Sequence, residues 1–182
     1  MVESAKAFLK IKLADWAESW LLNLRQEYRP VSRLLSSEET ASLRGYFTSD
    51  LLATVRVAVT GNISNPPFFS SLPQFGLPMP WDFSADPGLS VVDTIIISKP
   101  LIPEGRWFSI LFLECVHLQQ FQALGVSKLV GRYVHGLFKN GFDYAALPME
   151  RQARELQFRF DAGLKMFSVE REVEEAVLQG AI

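Results

Sequence analysis

Residues 61–88, GNISNPPFFSSLPQFGLPMPWDFSADPG, limit most strongly how this 182-residue chain can fold. Their density of proline, glycine and serine excludes a regular helix or a central strand. Their aromatic content argues against a floppy linker, because such side chains usually fix an irregular segment onto a core. The alternative role is to line an apolar ligand cleft. The aromatic residues are Phe68, Phe69, Phe75, Trp81 and Phe83.

The rest of the chain divides around this segment. An N-terminal, helical part covers about residues 1–60, and a later part covers about residues 89–165. The length suits one domain with a real core, so we expect residues 1–182 to form a single domain.

The composition excludes several classes of protein. The chain is 48% hydrophobic and 21% charged, which is typical of a globular protein, and its net charge of -2 gives no reason to expect a nucleic-acid partner. Charges at Lys10, Lys12 and Asp15 interrupt the apolar start, so we expect neither a signal peptide nor a membrane span. The single cysteine, Cys115, allows no internal disulfide and favours a reducing cytoplasm.

Two helices are predicted in the N-terminal part. Residues 5–26 have an amphipathic pattern typical of a helix. Ser36 and Glu39 form the pattern of a capping box, which predicts a second, short helix ending near Phe47.

Two segments rich in β-branched residues are the predicted strands. Leu51–Thr60 is one of them, although a helix that extends to Val57 is an alternative. Leu89–Ser98, LSVVDTIIIS, has the strongest strand pattern in the chain. The remaining helices are predicted at about 106–124, ended by Gly125, and at about 127–139, 149–162 and 169–179. The sequence therefore predicts a mostly helical α+β fold.

The stretch FLECVHLQQF, Phe112 to Phe121, is one residue short of the zinc-binding pattern H-E-x-x-H. Glu114 and His117 stand in the pattern, but Leu113 replaces the first histidine. Positions 113 and 117 lie one helical turn apart and project on the same side, which is why two histidines at this spacing can hold one metal ion.

A wider set of motifs resembles a known family. DTIII is followed by a loop, the helix L-E-C-V-H-L-Q-Q-F, a second helix and A-L-P-M-E-R-Q-A. This order, over about Asp93 to Phe160, resembles zincin-like bacterial metallopeptidase-like proteins of the HExxH…E, gluzincin type. The resemblance implies a zincin-like core with a small sheet beside the motif helix. It also implies that Glu114 is at the general-base position, that His117 and Glu150 are zinc ligands, and that the strand of Thr94 and Ile95 borders the cleft with Leu113.

The replacement by Leu113 makes the implied zinc site incomplete. Catalytic zinc takes three protein ligands and one open position. We therefore expect no cofactor, or zinc only if another ligand completes the site. His135, Asp143 and Asp93 are the candidates, whereas Cys115 lies two residues from His117 and points elsewhere.

The leading interpretation is a pseudoenzyme, a degenerate metallopeptidase-like protein that acts as a binding or regulatory module. His117 and Glu150 would then pair without a metal. One alternative is an active metal-dependent hydrolase with an unusual third ligand. Another is a binder of small apolar molecules or lipids that uses the cleft near Leu113. The expected partner is a protein or a small apolar ligand.

Overall fold

The computed structural model describes the backbone of residues 2–182 and the side chains of residues 6–182. The fold is α+β and mostly helical, as the sequence predicted. The helices are α1 (Val2–Tyr28), α2 (Ser37–Leu43), α3 (Ser49–Thr54), α4 (Trp107–Leu124), α5 (Val126–Lys139), α6 (Pro148–Asp161) and α7 (Val169–Leu178). The strands are β1 (Arg33–Leu34), β2 (Arg56–Thr60), β3 (Gly88–Val91) and β4 (Thr94–Ser98).

The four strands form one small mixed sheet with the order β1-β2-β4-β3. β2 and β4 are parallel, whereas β1 and β3 are antiparallel to their neighbours. β3 is therefore an edge strand, and it lies beside α4 and α1. Every residue of β3 and β4 is buried, as expected for strands covered by helices.

The prediction of one strand over Leu89–Ser98 was wrong. A tight turn at Val92 and Asp93 splits this segment into the hairpin of β3 and β4. Val92 has φ of 65°, which is unfavourable for a β-branched residue. The Asp93 carboxylate accepts hydrogen bonds from Arg25 and Arg29 of the N-terminal part, and these contacts hold the turn in place.

The segment Leu51–Thr60 combines the two predicted alternatives. Helix α3 continues to Thr54, and only the last five residues form strand β2. The side chain of Thr48 accepts a hydrogen bond from the Leu51 amide and so starts α3. The predicted capping box at Ser36 is confirmed, but α2 ends at Leu43, before the expected position.

Residues 61–88 contain two 3-10 helical segments, Pro67–Phe75 and Phe83–Ala85, and no α-helix. Two of the aromatic side chains pack against α1, Trp81 stacks on Tyr144, and Phe75 is half exposed. Phe83 is buried with its ring centroid 5.3 Å from that of Trp20, and the Phe68 ring lies 5.9 Å from that of Trp16. The segment is thus attached to the core, as predicted from its aromatic content.

Helix α4 lies in the centre of the fold. It packs on β3 and β4 and against α5, α6 and α7, and most of its residues are buried. Cys115 is a fully buried free thiol within it. Gly125, with φ of 75°, ends α4 as predicted and leads directly into α5. No helix in the described part of the chain is long and apolar enough to cross a membrane.

Candidate functional site

A cavity of about 190 Å³ lies between α1, α4, α5, β3 and residues 61–88. Its volume exceeds that of an engineered cavity of about 150 Å³ that binds benzene, so a small apolar molecule can fit. Most of the wall is aliphatic or aromatic. The apolar residues on it include Leu13, Ala17, Trp20, Phe121, Val134 and Phe138.

One group of polar side chains interrupts this apolar wall. We call it the polar cluster, and its members are Asp86, Glu114, His117, Tyr133 and Glu150. The cluster brings together the three residues that the family resemblance singled out, namely Glu114, His117 and Glu150. Leu113 also lines the cavity, one turn before His117 on α4.

Glu114 is almost completely buried and has few partners. The Ser90 hydroxyl of β3 lies 2.8 Å from both Glu114 Oε2 and the Glu114 carbonyl oxygen. Among the residues that the structure describes, Glu114 Oε1 accepts no hydrogen bond. Burial raises the pKa of Glu114 to about 7, and the nearby Glu150 and Asp86 carboxylates act in the same direction. Near neutral pH this carboxyl group is therefore partly protonated.

A relay of two amides sets the tautomer of His117. Gln152 Nε2 donates to the backbone carbonyl of Glu172 at 3.1 Å, and Gln120 Nε2 donates to the Met149 carbonyl and to Gln152 Oε1, both at 3.0 Å. Carbonyl oxygens only accept, so Gln120 must present Oε1 to His117 Nδ1, which lies 3.0 Å away. Nδ1 therefore carries the proton, and Nε2 faces the cavity.

His117 and Glu150 face each other without making a hydrogen bond. His117 Nε2 lies 3.8 Å from Glu150 Oε2, beyond normal hydrogen-bond distance. Glu150 lies in the first turn of α6, where the helix dipole stabilises a carboxylate, and its Oε1 accepts a hydrogen bond of 2.6 Å from Tyr133. Burial and the Glu150 charge raise the pKa of Tyr133 well above its usual value, so this phenol stays a donor.

Asp86 is a member of the polar cluster that the sequence did not point to. It follows the 3-10 segment before β3 and accepts a hydrogen bond from Trp81 Nε1. Burial raises the pKa of Asp86 to about 6, and Glu150 contributes to the increase, whereas the exposed Arg154 opposes it. In the sequence, Asp86 stands five residues after Trp81, and nothing in the pattern related it to His117 and Glu150.

Other residues named from the sequence lie away from the cavity. Thr94 and Ile95 are fully buried in β4 and do not line the cavity, because edge strand β3 supplies that wall. His135 and Asp143 are exposed, and Asp143 Oδ1 accepts a hydrogen bond from the Ala146 amide.

The third candidate ligand, Asp93, is paired with Arg25 and Arg29 at the β3–β4 turn. None of the three candidates therefore completes the site with His117 and Glu150.

The residues present do not fit a catalytic zinc ion. His117 Nε2 and Glu150 Oε2 could supply at most two of the three protein ligands required, and Leu113 offers no ligand atom. In the part of the chain that the structure describes, no group of three histidine, cysteine, aspartate or glutamate side chains is arranged to hold a metal.

Comparisons with known proteins leave the family open. No family model, curated protein or solved structure matches the chain.

Proposed function

We propose that this chain is a non-catalytic binding protein on a degenerate metallopeptidase-like scaffold, and that it holds a small apolar molecule in the cavity beside Leu113. The main support for this proposal is the cavity itself. It combines a mainly apolar wall with a few polar groups at one place, which is the usual composition of a small-molecule site.

The metallopeptidase-like part of the proposal is supported by the orientation of His117. A metal-binding histidine usually donates its second ring N–H to an acceptor, which fixes the nitrogen that faces the ion. His117 has this arrangement, since Nδ1 donates to Gln120 and Nε2 faces Glu150. Replacing the first histidine by Leu113 removes a ligand and makes the cavity more apolar.

The cavity can be tested with a neutral apolar probe, octan-1-ol, titrated into the protein by isothermal calorimetry. We expect binding of one molecule per chain. Ala17→Phe adds a ring at the cavity wall and should weaken the binding about tenfold or more. Ala7→Phe is the matched control, because Ala7 is exposed on the same helix. Equal binding by the two variants, or no binding by the parent protein, would count against the proposal.

The hydrolase alternative is tested by metal content. The protein is purified without chelator or His tag, and zinc is measured by elemental mass spectrometry. The proposal predicts far less than one zinc ion per chain. Near-stoichiometric zinc would overturn the non-catalytic proposal and would require a third ligand besides His117 and Glu150.

A further inference from the structure

We propose that the ligand of this cavity carries a cationic amine or amidine head on an apolar body, and that the head lies between Glu114, His117 and Glu150. This inference rests on the proposed small-molecule function and specifies the class of ligand. Two unmet hydrogen-bonding positions and the local charge support it.

The first unmet position is Glu114 Oε1. The Glu114 residue is 5% exposed and lines the cavity. Among the residues described, only Ser90 donates to its carboxylate, and it donates to the other oxygen. Because this residue lines the cavity, a donor supplied by a ligand could make a charge-assisted hydrogen bond to the free oxygen.

The second unmet position lies between His117 and Glu150. In the tautomer that the relay through Gln120 favours, Nδ1 carries the proton, and the two acceptors Nε2 and Glu150 Oε2 lie 3.8 Å apart. No hydrogen bond joins His117 Nε2 to Glu150 Oε2, and the hydrogen-bond partners of Glu150 are the phenol groups of Tyr133 and Tyr144. An ammonium group has several N–H donors and can reach both acceptors at once, whereas an alcohol has only one donor.

The charge around this position favours a cation over an anion. Three acids, Asp86, Glu114 and Glu150, line the cavity from the segment before β3, from α4 and from α6. Among the side chains that the structure describes, Arg154 is the one arginine or lysine on the wall, and it is exposed and acts on Asp86. A carboxylate head would therefore meet more repulsion than attraction, and a fatty acid is not the expected ligand.

Three probes with the same chain test the head group: octylamine, octan-1-ol and octanoate, titrated by calorimetry under one set of conditions near neutral pH. We expect octylamine to bind about tenfold more tightly than octan-1-ol, and octanoate to bind most weakly. Octan-1-ol binding as tight as octylamine would overturn the cationic head but keep the proposed function. Failure of all three probes to bind would overturn both.

A variant isolates the role of Glu114. Glu114→Gln should weaken octylamine binding about tenfold or more, and this loss should clearly exceed any change in octan-1-ol binding. Glu104→Gln makes the same chemical change at an exposed site and should alter neither affinity. Circular dichroism confirms that both variants fold. Unchanged octylamine affinity in folded Glu114→Gln would overturn the inference.

The pH dependence gives an independent test. Glu114 is faced by His117 on its own helix, Ser90 on β3, Asp86 and Glu150. The pKa of Glu114 is raised to about 7 and that of Asp86 to about 6, so both become more anionic as pH rises. Octylamine keeps its charge, since alkylamines titrate near pH 10. Its affinity should rise about tenfold between about pH 5.5 and about pH 8, whereas octan-1-ol should vary little. A flat octylamine profile would contradict the inference.

Discussion

Two glutamates of this protein have almost no solvent-exposed surface, yet their pKa values shift in opposite directions. Glu39 is 4% exposed and Glu114 is 5% exposed. Glu39 has a partner for each oxygen, because Arg33 Nη1 and Nη2 donate to Oε2 and Oε1 at 2.6 and 2.7 Å. The Ser36 amide and Trp107 Nε1 add two further hydrogen bonds. Burial alone would raise the pKa of Glu39, but these donors lower it overall.

Glu114 has fewer hydrogen-bond donors around its carboxylate than Glu39 has. Ser90 is its single hydrogen-bond donor in the described structure, and two further acids lie nearby. Its pKa is raised to about 7 instead of lowered.

The comparison shows that several donors together can outweigh the effect of burial on the pKa of a carboxylate, whereas the single donor of Glu114 does not. Glu39 joins β1, α2 and α4 through Arg33, Ser36 and Trp107, which is a structural role. Glu114 keeps one oxygen free at the wall of a cavity, which is the condition for binding a ligand. Substitutions can test each half of this contrast.

The largest effect is expected for Glu39→Ala. The substitution removes a helix cap, the Arg33 pair and the acceptor of Trp107 Nε1. We expect a loss of about 4 kcal/mol in the free energy of unfolding. Urea denaturation at neutral pH measures it, and Glu38→Ala, one exposed residue earlier, is the control. A loss below about 1 kcal/mol would show that these hydrogen bonds are not structural.

Glu114→Gln should instead stabilise the protein at high pH. The pKa of Glu114 is about 7 in the folded state and 4.5 in a model peptide, so the folded chain holds the proton longer. The contribution of this group to stability is therefore full below about pH 4.5 and is lost as pH rises to about 7. By about pH 8 the variant should exceed the parent by about 3 kcal/mol, and near pH 4.5 the two should agree.

Urea denaturation across this pH range measures the difference between Glu114→Gln and the parent. The pKa of Asp86 is raised as well, but Asp86 is present in both proteins, so its contribution cancels in the difference between their free energies of unfolding. A constant difference at every pH would show that Glu114 titrates normally.

A smaller effect is expected for Gly88→Ala. A Cβ atom at Gly88 would lie 2.7 Å from Glu114 Oε1 and 2.9 Å from Glu114 Cδ, so the carboxylate must move. We expect a loss of about 2 kcal/mol and weaker octylamine binding. Gly61→Ala is the control, since a Cβ atom there meets nothing within 4 Å. Unchanged octylamine binding in the folded Gly88 variant would mean that the position of Glu114 is unimportant.

Leu113→His is expected to change the stability of the protein least. It should also allow the protein to bind zinc. The substitution adds a third ligand one turn before His117, whose Nε2 already faces Glu150. We expect about one zinc ion per chain and a higher melting temperature when zinc is added. Leu101→His places a histidine at a more exposed position away from the cavity and should bind no zinc. A folded Leu113→His protein without zinc would contradict the relation to a metal site.

The features that the sequence predicted depend on local signals. The end of α4 at Gly125 and the capping box of Ser36 with Glu39 are set by residues within one turn. The placement of His117 and Glu150 at one cavity was expected from the motif order, and the structure gives their separation as 3.8 Å.

The features that the sequence did not predict depend on distant contacts. The turn between β3 and β4 is held by Arg25, 68 positions before Asp93 in the chain. The strand of Thr94 and Ile95 was expected to border the cleft. Because β3 pairs with β4 at the edge of the sheet, β3 borders the cavity and Ser90 lies beside Glu114. Asp86 reaches the cluster through an irregular segment whose path no periodic pattern specifies.

The most direct test of the account is the titration of individual glutamates by NMR of protein with ¹³C-labelled glutamate side chains, with and without octylamine. We expect Glu114 to titrate near pH 7 in the free protein and at a clearly lower pH when octylamine is bound. Glu39 should titrate below its usual range in both samples, because Arg33 holds its charge. A Glu114 that titrates as low as Glu39, or that ignores octylamine, would contradict the claim that its free oxygen marks a ligand site.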